Sequence, residues 1–430
     1  MKKRKLIKKI FISFFFAVFV IVAFFGTGLY LSVRPAKADG AVYATEYEKD
    51  LDRAVRLSES YYRSYYIKGF NILTYYPYRG VASCWEYIGL ISLTYKMALL
   101  DTAYLKRMDG ILDGLKYYRT EHNGAFSGYS AWRGAFKNSA DYRELAYDDN
   151  MWLGRDFVGL YELTHDKKYL DLAVEIAEFL TKDAYVRLDS SLFTDKGLAA
   201  PDGAVGGFYW AYEKDAVHAC STGPAAQFFA ALYRVTGNEA YLGIAQSTFR
   251  FLPYLVNDEG VFSDFMSFNK DADNNILSIK DIAGQPYTYN SGSPITAAVE
   301  LYGAVGEAQY LDYAKAWARS ADEYFAEATE TESVKRYPTM VWFNLILLNG
   351  YTALYRYDAA NTEPYISNIQ NAIDYGFDNS RLTGFLGFKR DFFSNDWYQG
   401  WPEKYPFSPI ALQMSANAEI YATLAYIRSL

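Results

Sequence analysis

Tyr161-Glu162-Leu163-Thr164-His165-Asp166-Lys167-Lys168-Tyr169 is a helix end, a short turn and a helix start in nine residues. Before it, Leu153, Phe157, Leu160 and Tyr161 recur at offsets 0, 4, 7 and 8, one face of an amphipathic helix. After it, Tyr169, Ala173, Ile176, Ala177 and Leu180 recur at offsets 0, 4, 7, 8 and 11. The second set of offsets returns three times. It gives Tyr104, Met108, Ile111, Leu112 and Leu115, then Tyr241, Ala245, Thr248, Phe249 and Leu252, then Tyr310, Ala314, Trp317, Ala318 and Ala321. Tyr233 and Tyr302 precede their partners by eight residues, as Tyr161 does, with turns at Thr236-Gly237-Asn238 and Val305-Gly306-Glu307. The Tyr-to-Tyr steps are 65, 72 and 69 residues.

Less regular units occupy residues 340–357 with 365–375, and a single helix is predicted over 414–427. With an opening helix over residues 41–66, about twelve helices form six antiparallel pairs. Such hairpins stack into an open solenoid or close into a toroid. The links at residues 121–147, 189–212 and 256–289 are long and rich in glycine and aromatics, unlike the short links of a solenoid. Long loops gathered on one rim are where a cleft is assembled. The expectation is therefore an all-α chain, an (α/α)6 barrel over residues 39–430, with residues 69–82 read as a loop.

Of the 430 residues 51% are apolar and 22% charged, enough for a large core. Aromatics make up 18%, with 42 Tyr, and a tyrosine excess suits a broad amphipathic groove. Residues 1–38 carry eight Lys/Arg and no acid, leaving 35 basic against 50 acidic residues in the body. That balance argues against nucleic acid as a ligand. Lys2, Lys3, Arg4, Lys5, Lys8 and Lys9 precede 24 uncharged residues, 10–33, long enough to cross a bilayer. Ala36-Lys37-Ala38 fits signal-peptidase cleavage before Asp39. Residues 1–38 are thus a single-pass anchor or a cleaved signal. Either one places the rest outside the cytoplasm, membrane-anchored at the surface or secreted.

The first helix of the quoted hairpin opens on Tyr147-Asp148-Asp149-Asn150-Met151-Trp152. Acidic residues in a first turn are stabilised by the free N–H groups and the helix dipole, which is one reading of the pair. The other is a carboxylate pair doing acid/base chemistry in an aromatic cleft. Gly206-Gly207-Phe208-Tyr209-Trp210, Asp264 and Tyr287-Thr288-Tyr289-Asn290-Ser291-Gly292 lie near the starts of successive first helices, hence potentially on one rim.

At this point the sequence resembles family 76 of the glycoside hydrolases, the α-1,6-mannanase family. The match is Tyr147-Asp148-Asp149-x-x-Trp152, Tyr169-Leu170-Asp171-x-Ala173, Gly206-Gly207-x-x-Trp210 and Thr288-Tyr289-Asn290-x-Gly292, over roughly residues 80–325. The resemblance implies the (α/α)6 fold and retaining hydrolysis of α-mannosidic bonds, with Asp148 as nucleophile and Asp149 as acid/base. Tyr147, Trp152, Gly207, Trp210, Asp264, Tyr289 and Asn290 are the expected substrate contacts. Lys214 to Thr222, and Ser291 where the family has Gln, depart from the pattern where substrate is held. The chemistry fits independently: retaining glycosidases need two carboxyls ~5–5.5 Å apart, one of them protonated.

The expectation is a monomeric mannanase acting on an oligosaccharide or polysaccharide, with no cofactor. Two alternatives share the sequence: a transglycosylase using the same dyad on an envelope glycan, and a non-catalytic carbohydrate-binding scaffold. No metal is expected, because His218, Cys220 and Cys84 lack the tight ligand spacing of a zinc site. Asp271-x-Asp273-x-Asn275 lacks the glycine and closing acid of a calcium loop. A disulfide between Cys84 and Cys220 and two buried thiols stay equally open, and Trp397 and Trp401 fit a sugar platform or a packed closure.

Overall fold

Each repeat turns at a residue in the left-handed conformation: His165 (φ 54°), Gly237 (φ 67°) and Gly306 (φ 73°). The N–H of each donates to the carbonyl of Tyr161, Tyr233 or Tyr302, at 2.7, 2.7 and 2.8 Å, which ends the first helix. The side chains of Asp166 and Asn238 then accept from the N–H of Lys168 and Ala240 and start the second. The tyrosine eight residues ahead of its partner is therefore the carbonyl that closes the helix.

The computed structural model describes residues 34–36, 41–134, 144–331, 333–385, 388–401 and 409–430. Its helices are α1 (Glu46–Tyr65), α2 (Cys84–Leu100), α3 (Met108–Leu115), α4 (Tyr147–Thr164), α5 (Lys167–Asp183), α6 (Ser190–Asp195) and α7 (Ala219–Thr236). They continue with α8 (Glu239–Phe251), α9 (Thr288–Val305), α10 (Ala308–Phe325), α11 (Val341–Tyr355), α12 (Ala359–Asn379) and α13 (Ala411–Arg428). Helices α2, α4, α7, α9, α11 and α13 pack each on the next, and α13 packs back on α2, closing an inner ring. Helices α3, α5, α8, α10 and α12 each return along the outside, and α1 covers α13. This is the (α/α)6 barrel, with the single helix at the carboxy end paired to the opening one.

Burial separates the rings. Outer α5 buries Tyr169, Ala173, Ile176, Ala177 and Leu180, the predicted stripe, and α10 buries Tyr310, Ala314, Trp317, Ala318 and Ala321. Inner α13 is buried at every residue from Ala411 to Ala425, because neighbours surround it. Ring closure brings backbones close: a Cβ on Gly292 of α9 would stand 2.3 Å from the Ile346 carbonyl oxygen of α11.

The loops differ from expectation. Residues 69–82 form a hairpin of strands Ile72–Tyr76 and Arg79–Val81. In the later links Val205–Phe208 pairs with Tyr185–Leu188, and Phe265–Lys270 pairs with both Ala216–His218 and Ile276–Ala283. Partly buried links must satisfy their backbone N–H and C=O groups, and short ladders do so. At the 271–275 tip the Asp271 carboxylate accepts from the Asn275 N–H and side-chain amide, a closed turn. Trp397 donates to Asn417 at 2.9 Å and Trp401 to the Ser380 carbonyl at 2.7 Å, so both pack the barrel wall. No helix among the described residues is long and apolar enough to cross a membrane, and residues 10–33 lie outside them.

Candidate active site

The inner helices run parallel, so their first turns share one rim. Side chains knit it together. Thr288 of α9 donates to Asn344 of α11 at 3.0 Å, and the Trp342 N–H of α11 donates to Gln413 of α13 at 3.2 Å.

Helix α4 enters this rim without a side-chain cap: Ala146 precedes it, and the Tyr147 N–H donates instead to the Trp210 carbonyl at 2.7 Å. The Gly206–Trp210 stretch is thereby fixed against the dyad. Gly207 sits here for packing: a Cβ would meet a Val217 methyl at 2.4 Å. Asp148 is partly buried and Asp149 is 6% exposed. The Asp149 N–H donates to Asp148 Oδ1 at 3.0 Å.

Their environments differ. Burial raises the pKa of both carboxyls. For Asp149 the negative charges of Asp148 and Glu86 add to that rise. For Asp148 the Asp149 N–H, the His218 imidazole and the Trp210 side chain oppose it. The proton therefore settles on Asp149, and Asp148 is the first of the two to ionise. Glu86, 5% exposed, belongs to a capping box in which it accepts from the Ser83 N–H at 2.7 Å. Ser83-x-x-Glu86 is legible in the sequence as a helix start; its reach to the dyad depends on ring closure.

Trp210 is 46% exposed, and its ring lies 5.6 Å from that of His218, which lies 5.3 Å from Phe265. His218 Nδ1 is 3.8 Å from the Asp264 carboxylate, whose other oxygen accepts from the Asn290 amide at 2.9 Å. The Asn290 Oδ1 is buried with no hydrogen-bond partner among the described residues. Tyr289 stacks on Phe343 at 3.9 Å with a 13° tilt, and Trp85 and Trp342 adjoin Phe343 at 6.0 and 6.1 Å. Carboxyl, amide and aromatic groups thus converge on one rim, as a carbohydrate site requires.

Tyr147 and Trp152 are placed differently. Tyr147 is fully buried, with its hydroxyl donating to Asp183 at 2.8 Å. Trp152 is 1% exposed and meets Trp342 edge to face at 5.1 Å. Trp152 follows Asp148 by one turn on the same face, so it forms the floor under the dyad, where the barrel axis is already filled. Cys84 and Cys220 are free, buried thiols, each pushed up in pKa by burial and by nearby carboxylates. Among the described residues no three His, Cys, Asp or Glu side chains cluster as a metal site would need.

Comparison with known proteins agrees with this architecture. A family 76 mannosidase structure from Bacteroides thetaiotaomicron matches with a TM-score of 0.72 at 24% identity, covering 89% of this chain and 99% of that one. An α-1,6-mannanase from Salegentibacter sp. matches with a TM-score of 0.65 at 21% identity, covering 87% and 99%. An inactive variant of that mannanase, with two consecutive aspartates changed to asparagine and α-1,6-mannotriose bound, matches with a TM-score of 0.63 at 21% identity, covering 87% and 99%. Among curated proteins no match is found. The family model of glycosyl hydrolase family 76 matches residues 95–423, a span that contains the dyad and four of the six inner helices in full. The chain is a glycoside hydrolase, and the family to which it belongs is glycosyl hydrolase family 76.

Proposed function

We propose that this glycoside hydrolase cleaves α-linked mannosyl polymer with retention, by double displacement at Asp148 and Asp149. The observation that carries the reading is the unequal environment of two adjacent carboxyls on the rim. Asp148, the more readily ionised, attacks the anomeric carbon, while Asp149 gives its proton to the departing glycosidic oxygen. Asp149, now a base, takes a proton from water, and that oxygen displaces Asp148 from the sugar. The mannosyl substrate is supported by the Salegentibacter α-1,6-mannanase, whose double aspartate variant is inactive and holds α-1,6-mannotriose.

The test is hydrolysis of a panel of α-mannans followed by proton NMR of the first product. Retention is expected for α-1,6-linked chains. An inverted anomer would remove Asp148 as nucleophile, and no cleavage of any α-mannan would remove the substrate. The apolar run at residues 10–33 behind six basic residues supports an extracytoplasmic enzyme, anchored or secreted. Protease added to intact cells should then degrade it or find it already in the medium; full protection inside the cell would sink that placement.

A further inference from the structure

The far end of the barrel holds a second space. A cavity of about 210 Å³ lies where the inner helices end, lined by residues from all six of them. Asp156 lies eight residues beyond Asp148 on α4, so its carboxyl sits ~12 Å further along the axis at ~1.5 Å per residue. Trp152, one turn from each, and Trp342 fill the space between and separate the two ends.

The wall of this cavity is polar and incompletely bonded. Asp156 and Glu419 are 2% and 1% exposed, and Thr423 is fully buried. Asp156 accepts from Arg155 through one oxygen, and Glu419 accepts from Ser92 at 2.7 Å through one. Asp156 Oδ2, Glu419 Oε2, Thr423 Oγ1 and Asn349 Oδ1 have no partner among the described residues. Native interiors leave few such atoms unpaired, and several around one cavity point to an occupant. Donors stand with them: the Lys96 ammonium makes no hydrogen bond or ion pair among the described residues, and burial lowers its pKa.

Charge selects the occupant. Four basic and four acidic side chains line the space, and Arg234 already bridges Glu162 and Glu300 at 3.1 and 3.3 Å. A lone cation would meet Lys96 and Arg155, and a lone anion would meet Asp156 and Glu419. A neutral ligand bearing several hydroxyls donates to the bare acceptors and accepts from Lys96. Tyr95, Tyr357 and Tyr426 add aromatic faces to the same wall, suited to the C–H face of a sugar ring.

We propose that this cavity is a second binding site, apart from the catalytic rim, that takes one neutral pyranose unit. Its volume admits a single ring and excludes a run of several. The rival occupant is a cluster of about seven waters, at ~30 Å³ each.

Crystals of the full chain soaked in D-mannose or D-glucose provide the direct test, with saturation-transfer NMR of the same sugars in solution. Gly303 lines the mouth, and a Cβ there would meet only the Tyr357 hydroxyl, at 3.8 Å, so Gly303→Leu fills the space without disturbing α9. A sugar ring bonded to Asp156 and Glu419 is expected in the wild type and absent from Gly303→Leu, with a matching loss of saturation signal. Glu419→Gln, which retains size, should weaken the same signal. Only ordered water in the soaked cavity, or a saturation signal that Gly303→Leu leaves unchanged, overturns the proposal. Hydrolysis rates, read separately, keep a failed second site distinct from a failed catalytic assignment.

Discussion

The backbone N–H of Asp149 donates to the carboxylate of Asp148 at 3.0 Å, so the second residue of the dyad helps hold the charge of the first. A substitution at either position leaves that N–H in place, which makes the pair suited to side-chain exchange. Asp149→Asn removes the proton donor and should lower turnover by roughly 100- to 10,000-fold. Asp148→Asn removes the attacking oxygen and should abolish turnover. Azide distinguishes the two. It should restore cleavage of an activated aryl mannoside by Asp149→Asn with a retained glycosyl azide, and by Asp148→Asn with an inverted one. The opposite pattern would exchange the roles.

The pH profile follows from the two carboxyls. Asp148 works ionised, and burial raises its pKa, so the acid limb of kcat/KM lies above the ordinary carboxylate range. Asp149 works protonated; burial, Asp148 and Glu86 raise its pKa, so the alkaline limb is displaced upward as well. Glu86→Gln removes one of the charges holding that proton while keeping an acceptor for the Ser83 N–H. The alkaline limb should shift to lower pH with the melting temperature nearly unchanged. An alkaline limb that stays where it is in Glu86→Gln would show that Glu86 acts only as a cap.

Two tryptophans of the same motif set should separate binding from stability. Trp210 is half exposed beside His218, and Trp210→Ala should raise KM more than it lowers kcat. Trp152 is buried against Trp342, and Trp152→Ala should cost ~3–5 kcal/mol of stability. Chemical denaturation with steady-state kinetics on both variants checks the split. A KM change confined to Trp152→Ala would reverse their placement.

This division marks the limit of what the residues disclose on their own. The outer helices were legible because one face is wet: Tyr169, Ala173, Ile176, Ala177 and Leu180 stand out against polar neighbours. Inner helices such as α13 are buried all round, so periodicity does not tell which face looks down the axis. Asp148, Asp149 and the Asp264–Asn290 bond lie together because their helices start on one rim, which the order of the motifs implies. Glu86, Phe343 and Gln413 reach that rim through ring closure between remote segments, and no local pattern assigns them there. Gly207 illustrates the converse: the motif marks it as a substrate contact, and a Cβ there would meet Val217.

Cys84 and Cys220 open α2 and α7, which α4 separates in the inner ring. With neighbouring helices ~8–10 Å apart, next-but-one helices of a six-membered ring stand roughly 14–17 Å apart. A disulfide needs Cα atoms within ~7 Å, so the two cannot bridge without opening the barrel. Burial also raises both thiol pKa values, which keeps them protonated and unreactive. Native protein should therefore fail to react with a disulfide thiol reagent, and two equivalents should appear once it is unfolded. Added reductant should leave the melting temperature unchanged. A drop on reduction, or no titratable thiol in the unfolded chain, would mean that the cysteines are paired and the ring order is wrong.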